Sequence, residues 1–179
     1  PDQRHVRASD VPALATMLNT EYPHIEFNIE GNPVADANAG GYPGFIPLIK
    51  AVGPAQATLV PDSDDQLTSD HGWDLSVAQP QLRAHIEACQ QADARVSLFM
   101  DPVVEHMAIA ADYGADRVEF YTGPYAETFW QYGAADQRTQ DCYRQFALAA
   151  EAALHAGLGI NAGHDLDQQN LPLFANLPG

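Results

Sequence analysis

Short apolar segments alternate with longer amphipathic segments along most of the chain. The apolar segments cover residues 25–30, 57–60, 96–100, 117–121 and 157–165, and polar or turn-forming residues end each of them. Their length and composition are typical of β-strands. The first segment alternates apolar and polar residues, as a half-buried strand does. The pattern therefore predicts five strands.

The segments between the predicted strands carry the helical repeat. Helices are expected after Ser9 or Asp10, then over 76–92, 103–113 and 136–156, and last over 167–176. Glycine and proline are frequent in 33–45, and a short helix or irregular segment follows over 45–49. A long polar loop over 62–74 has the length that is usually functional or mobile in compact domains. The stretch 124–135 is assigned to another loop.

Strands that alternate with helices predict a parallel sheet with right-handed crossovers. We expect an α/β fold of the (β/α)8 TIM barrel family, in one domain over residues 1–179. Five strand–helix units do not close an eight-stranded barrel, so this barrel would be partial. An open doubly wound sheet is the alternative, although no nucleotide-type phosphate loop follows the first strand. In a barrel, the chemistry is expected at the carboxyl ends of the strands.

Charge and composition limit the classes of partner that we expect. The 179 residues include 8 basic and 24 acidic side chains, a formal net charge of -16. A field of this sign repels phosphate backbones and anionic lipid surfaces, so nucleic acid and membranes are not expected as partners. Two cysteines are too few for a disulfide framework, which favours a cytoplasmic location. No apolar run reaches the length of a membrane span.

Three ionisable residues lie at or near predicted strand ends. Glu30 ends the first strand, where a partly desolvated carboxylate suits a general base, although a solvated loop glutamate is the simpler alternative. Glu119 lies inside the fourth strand. It faces either the helix layer, where a charge is costly unless it is paired, or the barrel lumen, where it could stabilise positive charge or hold a substrate amine. An ion pair with Arg117 or Arg95 is the simpler alternative. His164 follows the fifth strand and suits proton transfer near neutral pH, unless it is an ordinary loop histidine.

Several weaker patterns complete the set of candidates. Thr68, in the long polar loop, could bind a substrate oxygen, but threonine is common in loops. The acidic residues of 62–70 resemble a calcium loop, yet Leu67 occupies the position that requires glycine. His85 and Cys89 lie one helical turn apart with no second matching pair, which favours core packing. No metal site is therefore predicted.

Six motifs occur in one order along nearly the whole chain. They are NIEGN at 28–32, LVPD at 59–62, LTSDHGWD at 67–74, VSLF at 96–99, EFYTGPYA at 119–126 and NAGHDL at 161–166. Together they resemble the pyridoxine 5′-phosphate synthase family of vitamin B6 biosynthesis. The resemblance is weakest over 33–45.

This resemblance implies a β/α barrel that assembles as a homo-oligomer and uses neither a metal nor an organic cofactor. The family condenses 1-deoxy-D-xylulose 5-phosphate with 3-amino-2-oxopropyl phosphate, and it releases phosphate and water. By resemblance, Glu30 is the general base, Glu119 stabilises charged intermediates and His164 is a proton donor. His5 and Thr68 would contact the deoxyxylulose phosphate. The backbone of Asp165 would contact the phosphate of the aminoketone.

The resemblance also implies that this chain holds strands three to seven of the barrel and is truncated at both ends. The residues 1–179 alone are then expected to be inactive. An inactive fragment, or an interaction module derived from the barrel family, is the alternative to an enzyme.

Overall fold

A computed structural model describes residues 6–63, 66 and 68–179. The chain divides into two compact units. The first comprises the described residues up to Ser69 together with Gln79–Ser97, and the second comprises Asp70–Ala78 together with Leu98–Gly179. Both units combine parallel strands with helices, which confirms the predicted α/β class.

The first unit contains the amino-terminal helices and strands. They are α1 (Val11–Glu21), β1 (Asn28–Gly31), β2 (Asp36–Ala37), β3 (Pro43–Gly44), α2 (Phe45–Val52), β4 (Gln56–Leu59), α3 (Leu82–Gln90) and the start of β5 (Arg95–Met100). Strand β1 pairs with β4 in parallel, with Glu30 opposite Thr58. The backbone N–H of Arg95 donates to the carbonyl of Ala55 at 3.1 Å. The order within this unit is therefore β1-β4-β5.

Strand β4 is the most deeply buried strand of the first unit. All four of its residues are buried, and Ala57 and Leu59 are fully inaccessible to solvent. Helix α2 supplies Phe45 and Ile49 to the same core. The ring of Phe45 lies directly against Gly31 of β1, where a Cβ atom would overlap two ring carbons. The glycine of the first predicted strand end is thus required by packing against an aromatic ring.

The second unit contains the rest of β5 and the carboxyl-terminal elements. They are α4 (Val104–Tyr113), β6 (Arg117–Phe120), α5 (Gly123–Tyr132), α6 (Gln137–His155), β7 (Gly159–Ala162) and α7 (Leu171–Phe174). Strands β6 and β7 pair in parallel, with Glu119 opposite Asn161. The N–H of Tyr121 donates to the carbonyl of Met100 at 2.9 Å, so the order is β5-β6-β7.

Aromatic side chains from the strands and helices form the core of the second unit. The ring centroids of Phe120 and Phe146 lie 5.7 Å apart, and those of Phe146 and Phe174 lie 5.2 Å apart. Tyr125 is fully buried against Phe174, and its hydroxyl donates to the carbonyl of Asn170 at 2.8 Å. Burial raises the pKa of Tyr125 to about 12. This phenol therefore acts as a buried hydrogen-bond donor that fixes the segment before α7.

All five predicted strands are present, with ends that differ by a few residues. The loop assigned to 124–135 was wrong, because residues 123–132 form helix α5. Pro124 stands in its first turn, where proline suits a helix start, and Tyr125 and Ala126 are buried beneath it. Helix α3 begins at Leu82 instead of residue 76, and α7 has only four residues. The short strands β2 and β3 were not predicted.

None of the helices in the described part of the chain is both long enough and apolar enough to cross a bilayer.

Candidate functional site

Polar side chains occupy the strand ends of each unit. In the first unit, Glu30 lies on β1 and is exposed, so it is less desolvated than its strand position suggested. Asn28 precedes it by two residues and therefore shares its face of the strand. The amide nitrogen Nδ2 of Asn28 donates to Oε1 of Glu30 at 2.9 Å. This hydrogen bond orients the carboxylate.

The same asparagine connects Glu30 to the neighbouring strand. The hydroxyl of Thr58 on β4 donates to Oδ1 of Asn28 at 3.2 Å, and Thr58 is fully buried. A buried hydroxyl thus fixes the amide, and the amide fixes one carboxylate oxygen of Glu30. The sequence pattern singled out Glu30 alone. The two-residue spacing on an alternating strand was the signal that could have added Asn28.

A second polar group of the first unit follows β4. The Asp62 carboxylate is buried, with 7% of the residue exposed, and its Oδ2 accepts from the Ser69 hydroxyl at 2.7 Å. The backbone carbonyl of Asp62 accepts from Nδ2 of Asn32 at 2.5 Å. Its other oxygen, Oδ1, is buried and has no hydrogen-bond partner among the described residues. Thr68, the predicted substrate contact, is exposed and directly precedes the tethered Ser69.

In the second unit, the ring contacts of β6 determine which way Glu119 points. Phe120 packs on Phe146 of helix α6, so the even-numbered face of β6 meets the helices. Side chains alternate along a strand, and Arg117, Glu119 and Tyr121 therefore share the opposite face. Glu119 is buried on that face, with 8% of the residue exposed. The sequence left open whether this carboxylate faces the helix layer. The packing of Phe120 excludes that orientation.

The arginines that were considered as partners of Glu119 make other bonds. Arg117 donates through Nε to Oδ1 of Asn161 at 2.8 Å and through Nη2 to the carbonyl of Ile160 at 2.6 Å. Its guanidinium lies against Gly159, where a Cβ atom would overlap it. In the first unit, Arg95 forms an ion pair with Glu26, with Nη1 and Oε1 3.1 Å apart.

His164 follows β7 in a half-enclosed setting. Its ring stands edge-on to Tyr121 at a centroid distance of 5.2 Å and tilted against Phe99 at 5.9 Å. The hydroxyl of Thr122 donates to the backbone carbonyl of His164. Its Nδ1 lies 2.9 Å from Oδ2 of Asp165. The imidazole is therefore held on several sides, unlike an ordinary loop histidine.

Tyr121 was not singled out from the sequence, although it belongs to the motif at 119–126. Burial raises the pKa of its phenol, and the charges of Asp165 and Asp70 raise it further. The phenol therefore remains protonated well above neutral pH. Its placement depends on β5 and β7, which only the fold brings beside β6.

A cleft of about 640 Å³ opens beside these residues within the second unit. Its lining includes four carboxylates together with aromatic and small residues: Asp70, Tyr121, Gly123, Pro124, Ala126, Glu127, Trp130, Asp165 and Asp167. Clustered carboxylates favour cationic ligand groups and disfavour phosphate groups. Side chains of this cleft are therefore poor ligands for a phosphate.

The structure brings some predicted site residues together. His164 contacts Asp165, and Glu119 lies opposite Asn161 in the β6–β7 pair. Glu30 and Thr68 belong to the first unit. His5 lies outside the described residues. Within the part of the chain that the structure describes, no group of three or more His, Cys, Asp or Glu side chains could hold a metal ion.

Comparisons with known proteins give consistent matches. A family model described as "Pyridoxal phosphate biosynthesis protein PdxJ" matches residues 1–179. A protein named pyridoxine 5′-phosphate synthase from Xanthomonas oryzae pv. oryzae (strain PXO99A) is 52% identical over 180 residues, covering 100% of this chain and 68% of that protein. The protein of the same name from Xylella fastidiosa (strain M12) is 49% identical over 174 residues, covering 97% of this chain and 64% of that protein. The chain thus spans about two thirds of each relative.

Proposed function

Because this chain belongs to the PdxJ family of pyridoxal phosphate biosynthesis proteins, we propose that it carries out the pyridoxine 5′-phosphate synthase reaction. The observation that carries the proposal is the match over the whole chain to relatives of that name at 52% identity. The alternative, an inactive fragment or an interaction module, is not favoured, because the relatives that match are named as synthases. The substrates are 1-deoxy-D-xylulose 5-phosphate and 3-amino-2-oxopropyl phosphate.

The first chemical step joins the two substrates. The amine nitrogen of the aminoketone attacks the ketone carbon of the deoxyxylulose phosphate, and loss of water leaves a carbon–nitrogen double bond. Later steps remove protons from carbon, expel phosphate and water, and close the pyridine ring. Each step moves protons between substrate carbon, nitrogen and oxygen atoms. A base, a proton donor and a stabiliser of positive charge are the groups that this sequence needs.

Glu30 is the base in this proposal. Its carboxylate is exposed, and the hydrogen bond from Asn28 orients it through Oε1. We assign this oriented carboxylate to take the proton. The Thr58 hydroxyl supports this orientation through Asn28.

Glu119 stabilises cationic intermediates. It is buried on the face of β6 that points away from the helices, where solvent screening is weak. A fixed negative charge in such surroundings favours positive charge that develops on the imine nitrogen. Arg117 donates a hydrogen bond to Asn161 of β7. This bond fixes the side chain of Asn161, which lies opposite Glu119 in the strand pair.

His164 donates protons, and other residues contact the substrates. Tyr121 and Phe99 confine the imidazole, which reduces its freedom before the transfer. We assign the contacts with the deoxyxylulose phosphate to His5 and Thr68, on the resemblance alone. The aminoketone phosphate is assigned to the backbone of Asp165, because the carboxylates of the adjacent cleft disfavour a side-chain phosphate site.

The cellular setting follows from the same proposal. We assign the enzyme to the cytoplasm, since Cys89 and Cys142 are both free thiols and small phosphorylated substrates are its partners. We assign it a homo-oligomeric state from the family resemblance. Light scattering on the purified protein measures that state directly.

The experiment that tests the function is an assay of the purified protein that carries these residues, with any sequence that continues beyond them. Both substrates are supplied, and phosphate release and pyridoxine 5′-phosphate are measured together. We expect stoichiometric formation of phosphate and product. Omission of either substrate is the control. Phosphate release without ring product, or no reaction with both substrates present, would refute the proposal.

A further inference from the structure

The turn that carries His164 has an unusual backbone. The N–H of Leu166 donates to the carbonyl of Gly163 at 3.2 Å, which closes a turn around His164 and Asp165. Asp165 has φ of 59°, a left-handed conformation that most residues with a Cβ atom avoid. Only one other non-glycine residue among those described, Asp93, has a positive φ, also 59°.

A buried asparagine enforces this conformation. Asn170 is fully inaccessible to solvent, and its Nδ2 donates to the backbone carbonyl of Asp165 at 3.0 Å. Its Oδ1 accepts from the N–H of Asp167 at 2.8 Å. The Tyr125 hydroxyl fixes the backbone of Asn170 in turn. Hydrogen bonds within the protein therefore hold the left-handed residue.

The consequence of this backbone is the position of one carboxylate. The side chain of Asp165 returns to the preceding residue, with Oδ2 2.9 Å from Nδ1 of His164. Aspartate is one of the few residues with a Cβ atom that adopt this backbone readily, and glycine would adopt it at no steric cost. When the imidazole is protonated, the pair also offsets the charge of a carboxylate that would otherwise repel a phosphate beside it.

We propose that the Asp165 side chain is the positioning residue of His164, a role that rests on the proposed function and adds to the backbone contact. In this role the donor is the imidazolium, its Nδ1–H is hydrogen-bonded to the carboxylate, and its Nε2–H is assigned as the proton given to the substrate. In the transfer, the Nε2–H bond breaks and an O–H bond forms on the leaving oxygen. The electron pair remains on Nε2, and the resulting neutral imidazole keeps its proton on Nδ1, hydrogen-bonded to Asp165.

Other charged groups surround this pair. Tyr121 faces the imidazole from β6, while Asp70, Asp101 and Glu127 act on Tyr121 through their charges. Substitution of Asp165 removes the carboxylate that is hydrogen-bonded to Nδ1 and leaves these other carboxylates in place.

Two substitutions separate the charge from the hydrogen bond. Asp165→Gly suits the left-handed backbone and removes the carboxylate, while Asp165→Asn retains an acceptor oxygen without charge. Asp93→Gly and Asp93→Asn are matched controls, because Asp93 has the same φ and lies in the turn after α3, outside the proposed machinery. An effect on stability or activity that comes only from placing glycine or asparagine at a left-handed position should appear in the Asp165 variants and in the Asp93 variants alike.

We expect Asp165→Gly to lower kcat by about 10-fold to 100-fold, part of the about 100-fold to 10,000-fold that a positioned proton donor supplies. KM for each substrate stays within about twofold, because backbone contacts tolerate glycine. The kcat of Asp165→Asn is expected to lie between that of wild type and that of Asp165→Gly. The Asp93 variants match wild type in kcat and KM.

Nitrogen-15 NMR of the histidine side chains provides a readout that does not need activity. We expect the wild-type signal of His164, assigned by comparison with His164→Gln, to report a protonated Nδ1 in the neutral ring, and Asp165→Gly to shift it toward the Nε2–H tautomer. An unchanged tautomer together with an unchanged kcat in Asp165→Gly would overturn the inference. If the wild-type protein forms no product, the proposed function is refuted. The tautomer measurement then still tests whether Asp165 holds the proton on Nδ1 of His164.

Discussion

Glu30 and Glu119 are the same chemical group in two contrasting settings. Glu30, in the first unit, is exposed at a strand end and is oriented by an amide of its own strand. Glu119, in the second unit, is buried within a strand, on the face opposite the aromatic core. Exposure favours the ionised form of a carboxylate, which can accept a proton, whereas burial disfavours the charge. A buried carboxylate that acts through its charge therefore needs positive charge beside it, and this difference separates the two roles proposed for Glu30 and Glu119.

The largest effect is expected at Glu30. Glu30→Gln removes the proposed base but keeps the shape of the side chain and an oxygen that accepts a hydrogen bond. We expect kcat to fall by about 100-fold to 10,000-fold. Substrate affinity, measured by calorimetry with each phosphate substrate, should remain nearly constant. Glu26→Gln serves as the control, since Glu26 is exposed in the same unit and pairs with Arg95. Turnover near that of wild type in Glu30→Gln would reject the base assignment.

A smaller loss with a different pH dependence is expected at Glu119. Glu119→Gln removes a negative charge but leaves the proposed general base, Glu30, in place. We therefore expect kcat to fall by about 100-fold. The pH dependence of the remaining activity should keep the limb that Glu30 supplies, since the base is intact. Rate measurements from pH 5 to 9 on both variants test this. Loss of the same limb in Glu119→Gln would show that the two carboxylates do not divide the roles.

The packing of two strand glycines gives a comparison of stability. Gly31→Ala forces a Cβ atom into the buried ring of Phe45, which should cost about 1–3 kcal/mol of unfolding free energy. Gly159→Ala meets the flexible guanidinium of Arg117, which can move but then loses bonds to β7, at about 1 kcal/mol. Urea denaturation measures both values.

A double-mutant cycle sharpens that comparison. In an Arg117→Ala background, Gly159→Ala should cost little, because the overlapping group is gone. An equal cost of Gly159→Ala in both backgrounds would show that backbone strain, and not the arginine, decides its effect.

The smallest effect concerns the helix caps. Asp136 caps α6, and hydrogen bonds from Arg138 lower its pKa to about 2. Because this folded value lies below the unfolded value of about 3.9, the contribution is present above pH about 3.9 and is lost as pH falls toward 2. The Tm difference between wild type and Asp136→Asn, about 2 °C at pH 5, should therefore shrink on acidification. Asp10→Asn is the control, since Asp10 makes no side-chain cap bond at α1. A pH-independent difference at Asp136 would contradict the cap assignment.

Much of the fold followed from local pattern. The five strands were located because alternation and apolar runs depend on neighbouring residues alone. Helix α5 was missed because Gly123 and Pro124 look like turn residues, although proline suits a first helical turn. The structure agrees with the sequence in placing Glu30 and Glu119 on strands and His164 just after one, while their roles stay predictions. Asn28 was missed although it lies two residues before Glu30 on the same strand, and Tyr121 was missed because its contact with His164 depends on the pairing of β6 with β7.

The sequence by itself determined which residues share a face of each strand, and it placed the candidate residues Glu30, Glu119 and His164 on strands or just after one. Only the tertiary structure decided which face meets the helices, because that choice depends on Phe120 packing against Phe146 some 26 positions later in the chain. It also decided the setting of His164. Asn170 bonds the backbone carbonyl of Asp165, Tyr125 of helix α5 holds Asn170 through a hydrogen bond across 45 positions, and the Asp165 carboxylate returns to the imidazole. Alternation is a local property, whereas orientation depends on partners that are distant in sequence.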